Sequence, residues 1–206
     1  MADEIPQILR ISHTEPDTEL LGPYRRFVIW VHGCCFDCPG CLAVNTRFGP
    51  YTETDTRELA RQVLSAPAEG LTISGGEPFL QAAALRELID RVRAERDLGV
   101  IVYSGFLLEE LRERKDAAGL LAAADILIDG PYRRELDIGQ AYVGSANQRI
   151  HYLTERYRVS GPAYYSAKKR RAEIKLYKEK TVLIGVPGTE TLRLWQKMKE
   201  SGRIEQ

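Results

Sequence analysis

Short apolar runs alternate with helical patterns along most of this chain, and each run ends in small or acidic residues. The runs cover residues 27–31, 71–74, 100–103 and 125–129. Between the first two, Asp55 followed by Glu58 predicts a capped helix start. Such alternation is typical of an α/β fold, in which outer crossover helices join parallel strands. Because ligands bind at the carboxyl ends of parallel strands, we expect the functional site along that edge.

The alternation weakens beyond about residue 140. Residues 174–177 and 181–184 predict two strands of a small antiparallel addition, and residues 190–202 predict a closing polar helix. A length of 206 residues fits one domain, so we expect residues 1–206 to form a single domain. The basic run 168–171 is expected to be a solvated hairpin tip, with docking of an acidic partner left open.

Composition and charge exclude several classes of protein. The 29 basic and 29 acidic side chains cancel, so no overall field attracts the chain to nucleic acid or to an anionic membrane. The N-terminal stretch is acidic where a signal peptide would be basic, and no apolar run approaches the roughly 20 residues of a membrane span. We therefore expect a cytoplasmic protein with neither nucleic acid nor membrane as a partner.

The four cysteines all lie between positions 34 and 41, which excludes a disulfide framework between distant loops. Cys34, Cys38 and Cys41 form a C-x3-C-x2-C array that can hold an iron–sulfur cluster, and Cys35 lies outside the array. Proteins that only carry electrons normally give such a cluster four cysteines. Three cysteines leave one iron open, and the amino and carboxylate groups of an amino acid can chelate it.

A single zinc ion is the alternative, with Cys35 or His32 as a fourth ligand. Adjacent cysteines strain tetrahedral chelation, and structural zinc loops more often use two separated C-x2-C pairs. We therefore favour the cluster. We expect Cys35 to be a small, partly buried side chain of the loop, and His32 to be a packing or hydrogen-bonding residue.

The cysteine loop, together with Ser-Gly-Gly-Glu-Pro at 74–78, resembles the radical S-adenosylmethionine superfamily. Within it, the chain is most similar to the small glycyl-radical activating enzymes, especially the activators of anaerobic ribonucleotide reductase. Asp-Gly-Pro-Tyr at 129–132 and Gly-Ser-Ala-Asn-Gln-Arg at 144–149 resemble later signatures of that branch. The resemblance runs from about Gly22 to the end of the chain.

The chain departs from these families at three places. Tyr24 stands where relatives commonly carry a second glycine, and Gly40 stands where many superfamily members have an aromatic residue. The Gly40 departure is shared with the activator branch. The chain is also longer than the smallest activators, mainly in the region 155–180. These departures bear on the identity of the partner.

The resemblance implies a partial (β/α) barrel of the radical S-adenosylmethionine type, one 4Fe-4S cluster on the three cysteines, and S-adenosyl-L-methionine as cofactor. By similarity, Gly75 to Pro78 bind the amino group of the methionine moiety, with Glu77 facing its charge. The residues implied in cofactor binding are Gly40, Gly75, Gly76, Glu77, Pro78, Ser104, Gly105, Asp129, Asn147 and Arg149. For each of the last five, a turn or a structural hydrogen bond is the competing interpretation.

The implied activity is reductive cleavage of S-adenosylmethionine to methionine and a 5'-deoxyadenosyl radical, which abstracts hydrogen from a glycine of a partner enzyme. An electron donor such as flavodoxin or ferredoxin would supply the electron. One alternative is a radical enzyme that modifies a peptide or a small molecule. A more distant alternative is a non-catalytic electron carrier or metal-binding module, which would require a fourth ligand.

Overall fold

A computed structural model describes residues 6–139, 142–166, 170–178 and 181–200. Within them, seven strands form one sheet in the order β3-β1-β2-β4-β5-β6-β7, and β8 and β9 form a separate pair. The strands are β1 (Ile8–Thr18), β2 (Arg26–Val31), β3 (Thr52–Asp55), β4 (Gly70–Gly75), β5 (Gly99–Tyr103), β6 (Ile126–Asp129), β7 (Arg149–Tyr152), β8 (Ala172–Leu176) and β9 (Thr181–Gly185).

The centre of the large sheet is parallel, and its edges are antiparallel. Strands β2, β4, β5 and β6 pair in parallel, as the alternating pattern predicted. Strands β1, β3 and β7 pair antiparallel to their neighbours, which the prediction of parallel strands did not include. The architecture is thus mixed α/β, and the four predicted strands form its parallel centre.

The helices are α1 (Asn45–Phe48), α2 (Thr56–Ser65), α3 (Ala82–Arg93), α4 (Leu108–Glu113), α5 (Ala118–Ala123), α6 (Ser160–Tyr165) and α7 (Thr189–Glu200), with a 3-10 turn at Pro78–Gln81. The predicted cap of α2 is confirmed, because the Asp55 carboxylate accepts the Glu58 backbone N–H at 2.7 Å. This bond satisfies one of the amide groups that a helix start leaves without a partner.

The main core lies between the sheet and helices α2, α3 and α5. Alternate residues of the parallel strands point into it, including Ile29, Ile73 and Val102, and Leu85 and Leu88 of α3 pack against them. Each of these side chains is fully buried, which stabilises the fold by roughly 1.5–3 kcal/mol per residue. The helices therefore cover one face of the sheet and hold its carboxyl edge in a fixed shape.

Residues from the C-terminal third cover the opposite face of the sheet. Tyr142, Tyr157 and Tyr165 pack on Ile101 and the neighbouring strand β6. Ile184 of β9 is fully buried against Val28 and two leucines. Strands β8 and β9 pair antiparallel, so the predicted antiparallel addition is confirmed.

The prediction for the basic run 168–171 is wrong where the structure describes it. Residues 168 and 169 lie outside the described residues. Arg170 precedes β8 and is not at a hairpin tip, and its side chain is only 8% exposed in an ion pair with Asp137. Only Arg171 is exposed as expected. Arg170 is buried because it pairs with Asp137, which lies 33 residues earlier in the chain. A local charge pattern does not reveal so distant a partner.

In the described part of the chain, no helix has the length and hydrophobicity that crossing a membrane requires. The assignment of residues 1–206 to a single domain stays a prediction.

Candidate iron–sulfur and cofactor site

The cysteine loop follows β2 at the carboxyl edge of the sheet and borders a cleft. The cleft is lined by Cys34, Phe36, Asp37, Cys38, Cys41, Ala43, Val44, Thr46, Arg47, Phe48 and Gly75. The three cysteines of the predicted array are free thiols of intermediate exposure. Gly75, from the second predicted motif, lies in the same cleft. The structure therefore brings the two motifs together although about forty residues separate them.

The thiols of the cleft sit in a partly desolvated environment. Burial raises the pKa of Cys34 to about 11, although a backbone N–H from Phe36 opposes the shift. Burial also raises the pKa of Cys38, against a backbone N–H from Tyr132. Iron binds the thiolate, so loading a metal group here releases protons. Backbone hydrogen bonds of this kind favour the thiolate form, which is the form that iron binds.

The donor set fits a 4Fe-4S cluster held by three cysteines. Among the residues that line the cleft there is no fourth cysteine and no histidine, and the Asp37 carboxylate is ion-paired with Arg47. Three thiols suit a cluster in which each cysteine binds a different iron.

Neither candidate for a fourth ligand lines the cleft. Cys35 is not among the residues that line the cleft, and it is exposed, so the expected partial burial is wrong. His32 stacks on Tyr51 with ring centroids 4.4 Å apart, and its Nδ1 lies 3.2 Å from the Ser12 hydroxyl. The packing and hydrogen-bonding role expected for His32 is what the structure has.

The glycine motif is bonded directly to the start of the cysteine loop. The Glu77 N–H donates to the Gly33 carbonyl and the Gly76 N–H to the Val31 carbonyl, both at 2.8 Å. Gly75 adopts φ of +101°, a conformation that favours glycine. A Cβ atom on Gly76 would lie 2.0 Å from the Gly33 carbonyl oxygen, so only glycine allows this approach. The two predicted motifs thus form one rigid backbone unit.

Glu77 connects the ends of β4 and β5. Its carboxylate is 1% exposed and accepts the N–H of Phe79 at 3.0 Å, the hydroxyl of Ser104 at 2.9 Å and the N–H of Gly105 at 2.8 Å. Burial raises its pKa to about 7, against these three hydrogen bonds. This geometry favours a positioning role for Glu77, and its direct contact with the cofactor stays a prediction.

Replacing Glu77 with glutamine should destabilise the fold. The amide nitrogen of glutamine cannot accept a hydrogen bond, so either Gly105 or the pair Phe79 and Ser104 loses its acceptor. A buried donor left unsatisfied costs about 1–3 kcal/mol, so the free energy of unfolding in urea should fall by that amount. The matched control is Glu95→Gln on the exposed surface, which should change stability little. Equal stability of both variants would contradict the positioning role.

Asp129 and Arg149 form an ion pair at the same carboxyl edge of the sheet. Asp129 is fully buried; it accepts the Leu108 N–H at 2.7 Å and two nitrogens of Arg149 at 3.0 and 2.5 Å. Burial alone would raise the pKa of Asp129, but the bonds from Arg149 and Leu108 outweigh it, so the pKa is lowered. Arg149 also forms a two-pronged ion pair with Glu109. Both predicted residues are engaged within the protein, and a contact with cofactor stays a prediction.

The two later motifs pack against each other in the connection between β6 and β7, residues 130–148. The Asn147 side chain donates to the Pro131 carbonyl at 2.8 Å, and the Gln148 side chain donates to the Gly130 carbonyl at 2.9 Å. The Oδ1 atom of Asn147 is buried and has no hydrogen-bond donor among the described residues. Such an orphaned acceptor is compatible with the predicted role of Asn147 in the pocket.

The remaining predicted residues lie around this unit. Pro78 is buried and begins the 3-10 turn. Gly40 is exposed with φ of +75°, and a Cβ there would lie 3.3 Å from Arg134 Cδ. Gly105 lies under the Phe36 ring, which a Cβ would approach to 2.6 Å.

Sequence reasoning missed two residues that hold the cysteine loop. Phe36 packs on Gly105 and meets the Phe106 ring edge-on, with centroids 4.9 Å apart. Tyr132 donates its backbone N–H toward Cys38. The position of Phe36 inside the cysteine array was a signal for the first, whereas a backbone donor such as that of Tyr132 leaves no trace in residue type.

The fold and the cleft together are those of an iron–sulfur protein of mixed α/β architecture, with three cysteines predicted as ligands and a glycine turn beside them. Residues 20–151 match a family described as a 4Fe-4S single cluster domain. The chain belongs to this family, in the radical S-adenosylmethionine branch of glycyl-radical activating enzymes, and its cofactors are a 4Fe-4S cluster and S-adenosylmethionine.

Named relatives support the same branch. The anaerobic ribonucleoside-triphosphate reductase-activating protein of Vibrio cholerae serotype O1 is 33% identical over 143 residues, 65% of this chain and 91% of the relative. The protein of that name from Enterobacteria phage T4 is 30% identical over 143 residues, 65% of this chain and 88% of the relative. The pyruvate formate-lyase-activating enzyme of Listeria monocytogenes is 29% identical over 92 residues, 41% of this chain and 37% of the relative.

Proposed function

We propose that this protein activates an anaerobic ribonucleotide reductase by generating a glycyl radical on it. The relatives that carry this function in their names are covered almost completely by the match, which supports the assignment. The observation that carries the proposal is the shared cleft: three thiols, no fourth soft ligand among its lining residues, and the Gly75 turn beside them.

The bound cluster would supply one electron to S-adenosylmethionine and so produce methionine and the 5'-deoxyadenosyl radical. The chain's own residues bind and orient. Cys34, Cys38 and Cys41 would hold three irons, and the backbone at Gly75 would receive the methionine amino group. Glu77 keeps that backbone in register with the neighbouring strand. The apolar side chains of Val44 and Phe48 form part of the cleft wall.

Three finer features belong to the same proposal. We propose that the large sheet corresponds to a partial radical S-adenosylmethionine barrel, with its parallel strands β2, β4, β5 and β6 around the cofactor. We propose a cytoplasmic location, because free thiols and an iron–sulfur cluster require a reducing compartment. An electron donor such as flavodoxin or ferredoxin remains a prediction.

The test is reconstitution of the full chain with iron and sulfide under anaerobic conditions, followed by addition of S-adenosylmethionine, dithionite and the anaerobic ribonucleotide reductase of the same genome. We expect a glycyl-radical doublet on the reductase by electron paramagnetic resonance, and 5'-deoxyadenosine formed with it. A reductase whose radical-site glycine is replaced by alanine is the control, and it should carry no such signal.

Two outcomes would contradict the proposal in different ways. Formation of 5'-deoxyadenosine without any radical on the reductase would favour an enzyme that modifies a peptide or a small molecule. A loaded cluster with no cleavage at all would favour an electron carrier.

A further inference from the structure

The strand pair β8 and β9 lies beyond residue 151, outside the match to the family, and it is anchored on strand β1. Glu15 of β1 is 2% exposed; it accepts the Lys175 ammonium group at 2.8 Å and the Tyr177 hydroxyl. Thr18 donates its hydroxyl to Glu173 at 2.8 Å. These contacts attach the pair to one side of the sheet.

The other anchor of this pair is Arg170, two residues before the start of β8 at Ala172. Its guanidinium group pairs with both carboxylate oxygens of Asp137 and donates to the carbonyls of Gly144 at 3.1 Å and Pro187 at 3.4 Å. The Arg170 side chain is 8% exposed and that of Asp137 is 21% exposed. Asp137 and Gly144 belong to the connection 130–148, which lies on the opposite side of the sheet from β1. The pair β8 and β9 therefore reaches from the β1 side of the sheet to the connection beyond β6, on the face opposite helices α2, α3 and α5.

Asp137 links this anchor to the cysteine loop. Its carboxylate accepts the Tyr132 hydroxyl at 3.2 Å and the Gly139 N–H at 3.1 Å. Arg134 of the same segment lies against the cysteine loop, because a Cβ atom on Gly40 would lie 3.3 Å from Arg134 Cδ. A backbone hydrogen bond from Tyr132 also opposes the rise that burial causes in the pKa of Cys38. A planar guanidinium group with several donors can hold such a set of oxygens at once, which a lysine cannot do.

We infer that Arg170 is a positioning residue for the cluster site. It holds the segment 131–139 against the cysteine loop, where Arg134 lies against Gly40. Arg170 lies in a part of the chain beyond the family match. Its effect on catalysis depends on the proposed function, because only that function places a cluster on the cysteine loop. The position of β8 and β9 on the sheet thus helps to fix the position of the cysteine loop, because Arg170 contacts Asp137 and Asp137 contacts Tyr132.

The test is amide hydrogen exchange on the full-length protein without cluster, comparing wild type, Arg170→Gln and Asp137→Asn. We expect amide exchange in the segment 131–139 to be about tenfold faster in both variants. Each variant loses a charge-assisted hydrogen bond, and this loss makes local opening of the segment more favourable. Exchange in β4 and β5 should be unchanged. Arg171→Gln is the matched control, because its side chain is exposed at the neighbouring position.

A second measurement is the midpoint potential of the reconstituted cluster. After reconstitution, the midpoint potential of Arg170→Gln should differ from that of wild type and of Arg171→Gln, since hydrogen bonds to sulfur tune such potentials. Arg170→Lys should restore the exchange rates only in part. Unchanged exchange in 131–139, or an equal rise throughout β4 and β5, would overturn the inference. Neither exchange result depends on cleavage of S-adenosylmethionine, so failure here is distinct from failure of the proposed function.

Discussion

Alanine at any one of Cys34, Cys38 or Cys41 should abolish the cluster and with it the cleavage of S-adenosylmethionine. Each of these thiols lines the cleft, and no other cysteine or histidine of the lining can replace it. Changes in groups that only support a metal ligand already cost 10–100-fold, so loss of a ligand should lower 5'-deoxyadenosine formation by more than about 100-fold. Iron and sulfide content after anaerobic reconstitution, together with product chromatography, measures the effect.

The fourth cysteine of the chain is the internal control for this series. Cys35 is exposed and lies outside the cleft, so Cys35→Ala should retain both cluster and activity. If Cys35→Ala loses the cluster while one of the other three variants keeps it, the assignment of the three ligands is wrong.

Gly76→Ala should disable the site without removing any functional side chain. The added Cβ would lie 2.0 Å from the Gly33 carbonyl oxygen, and no rotamer change can relieve an overlap with backbone. Overpacking of this kind costs about 1–3 kcal/mol or more in the free energy of unfolding. The strain also moves the loop that carries the cysteines, and a misplacement of 1 Å can cost roughly 100-fold in rate. Urea unfolding and the cleavage assay report the two effects separately.

Gly119→Ala is the matched control, since it adds the same methyl group elsewhere. Gly119 lies in α5, and its Cβ would meet Arg86 Cγ at an ordinary distance of 3.6 Å. Alanine is favoured over glycine in helices by about 1 kcal/mol, so this variant should be as stable as wild type or slightly more stable. Similar losses in both variants would refute the role of the close approach between Gly33 and Gly76.

The parallel centre of the fold and the location of the site were accessible to sequence reasoning. Continuous apolar runs mark strands buried on both faces, and the residues that end them share one edge by the geometry of a parallel sheet. Gly75, Ser104 and Asp129 lie at or directly after three such strand ends, as expected. The cysteine spacing predicts the ligands because the chemistry of the cluster demands that residue type.

The antiparallel edges could not be predicted in this way. Strand β1 carries Glu15, Asp17 and a proline, a composition that disfavours strands. Its partners are non-local, because Lys175 and Tyr177 satisfy Glu15 from about 160 residues away. The same reason explains why Arg170 was expected to be solvated: its burial depends on Asp137, which no local pattern connects to it.

The roles of the polar site residues were also only partly visible. Residue type indicated that Glu77 and Asp129 matter, but not that their carboxylates are occupied by internal donors. The sequence pattern identifies a polar group at a strand end. Whether that group faces the ligand or the protein is decided by backbone N–H groups, and these leave no signal in the sequence.

Gly33 precedes the first cysteine and is held on both sides by protein groups: its N–H donates to the Thr46 carbonyl and its carbonyl accepts the Glu77 N–H. Neither bond involves iron. If oxygen destroys the cluster, the cysteine loop should therefore keep its backbone conformation and should not unfold. Fresh iron and sulfide could rebuild the cluster, so oxidative damage at this site should be repairable without synthesis of a new chain.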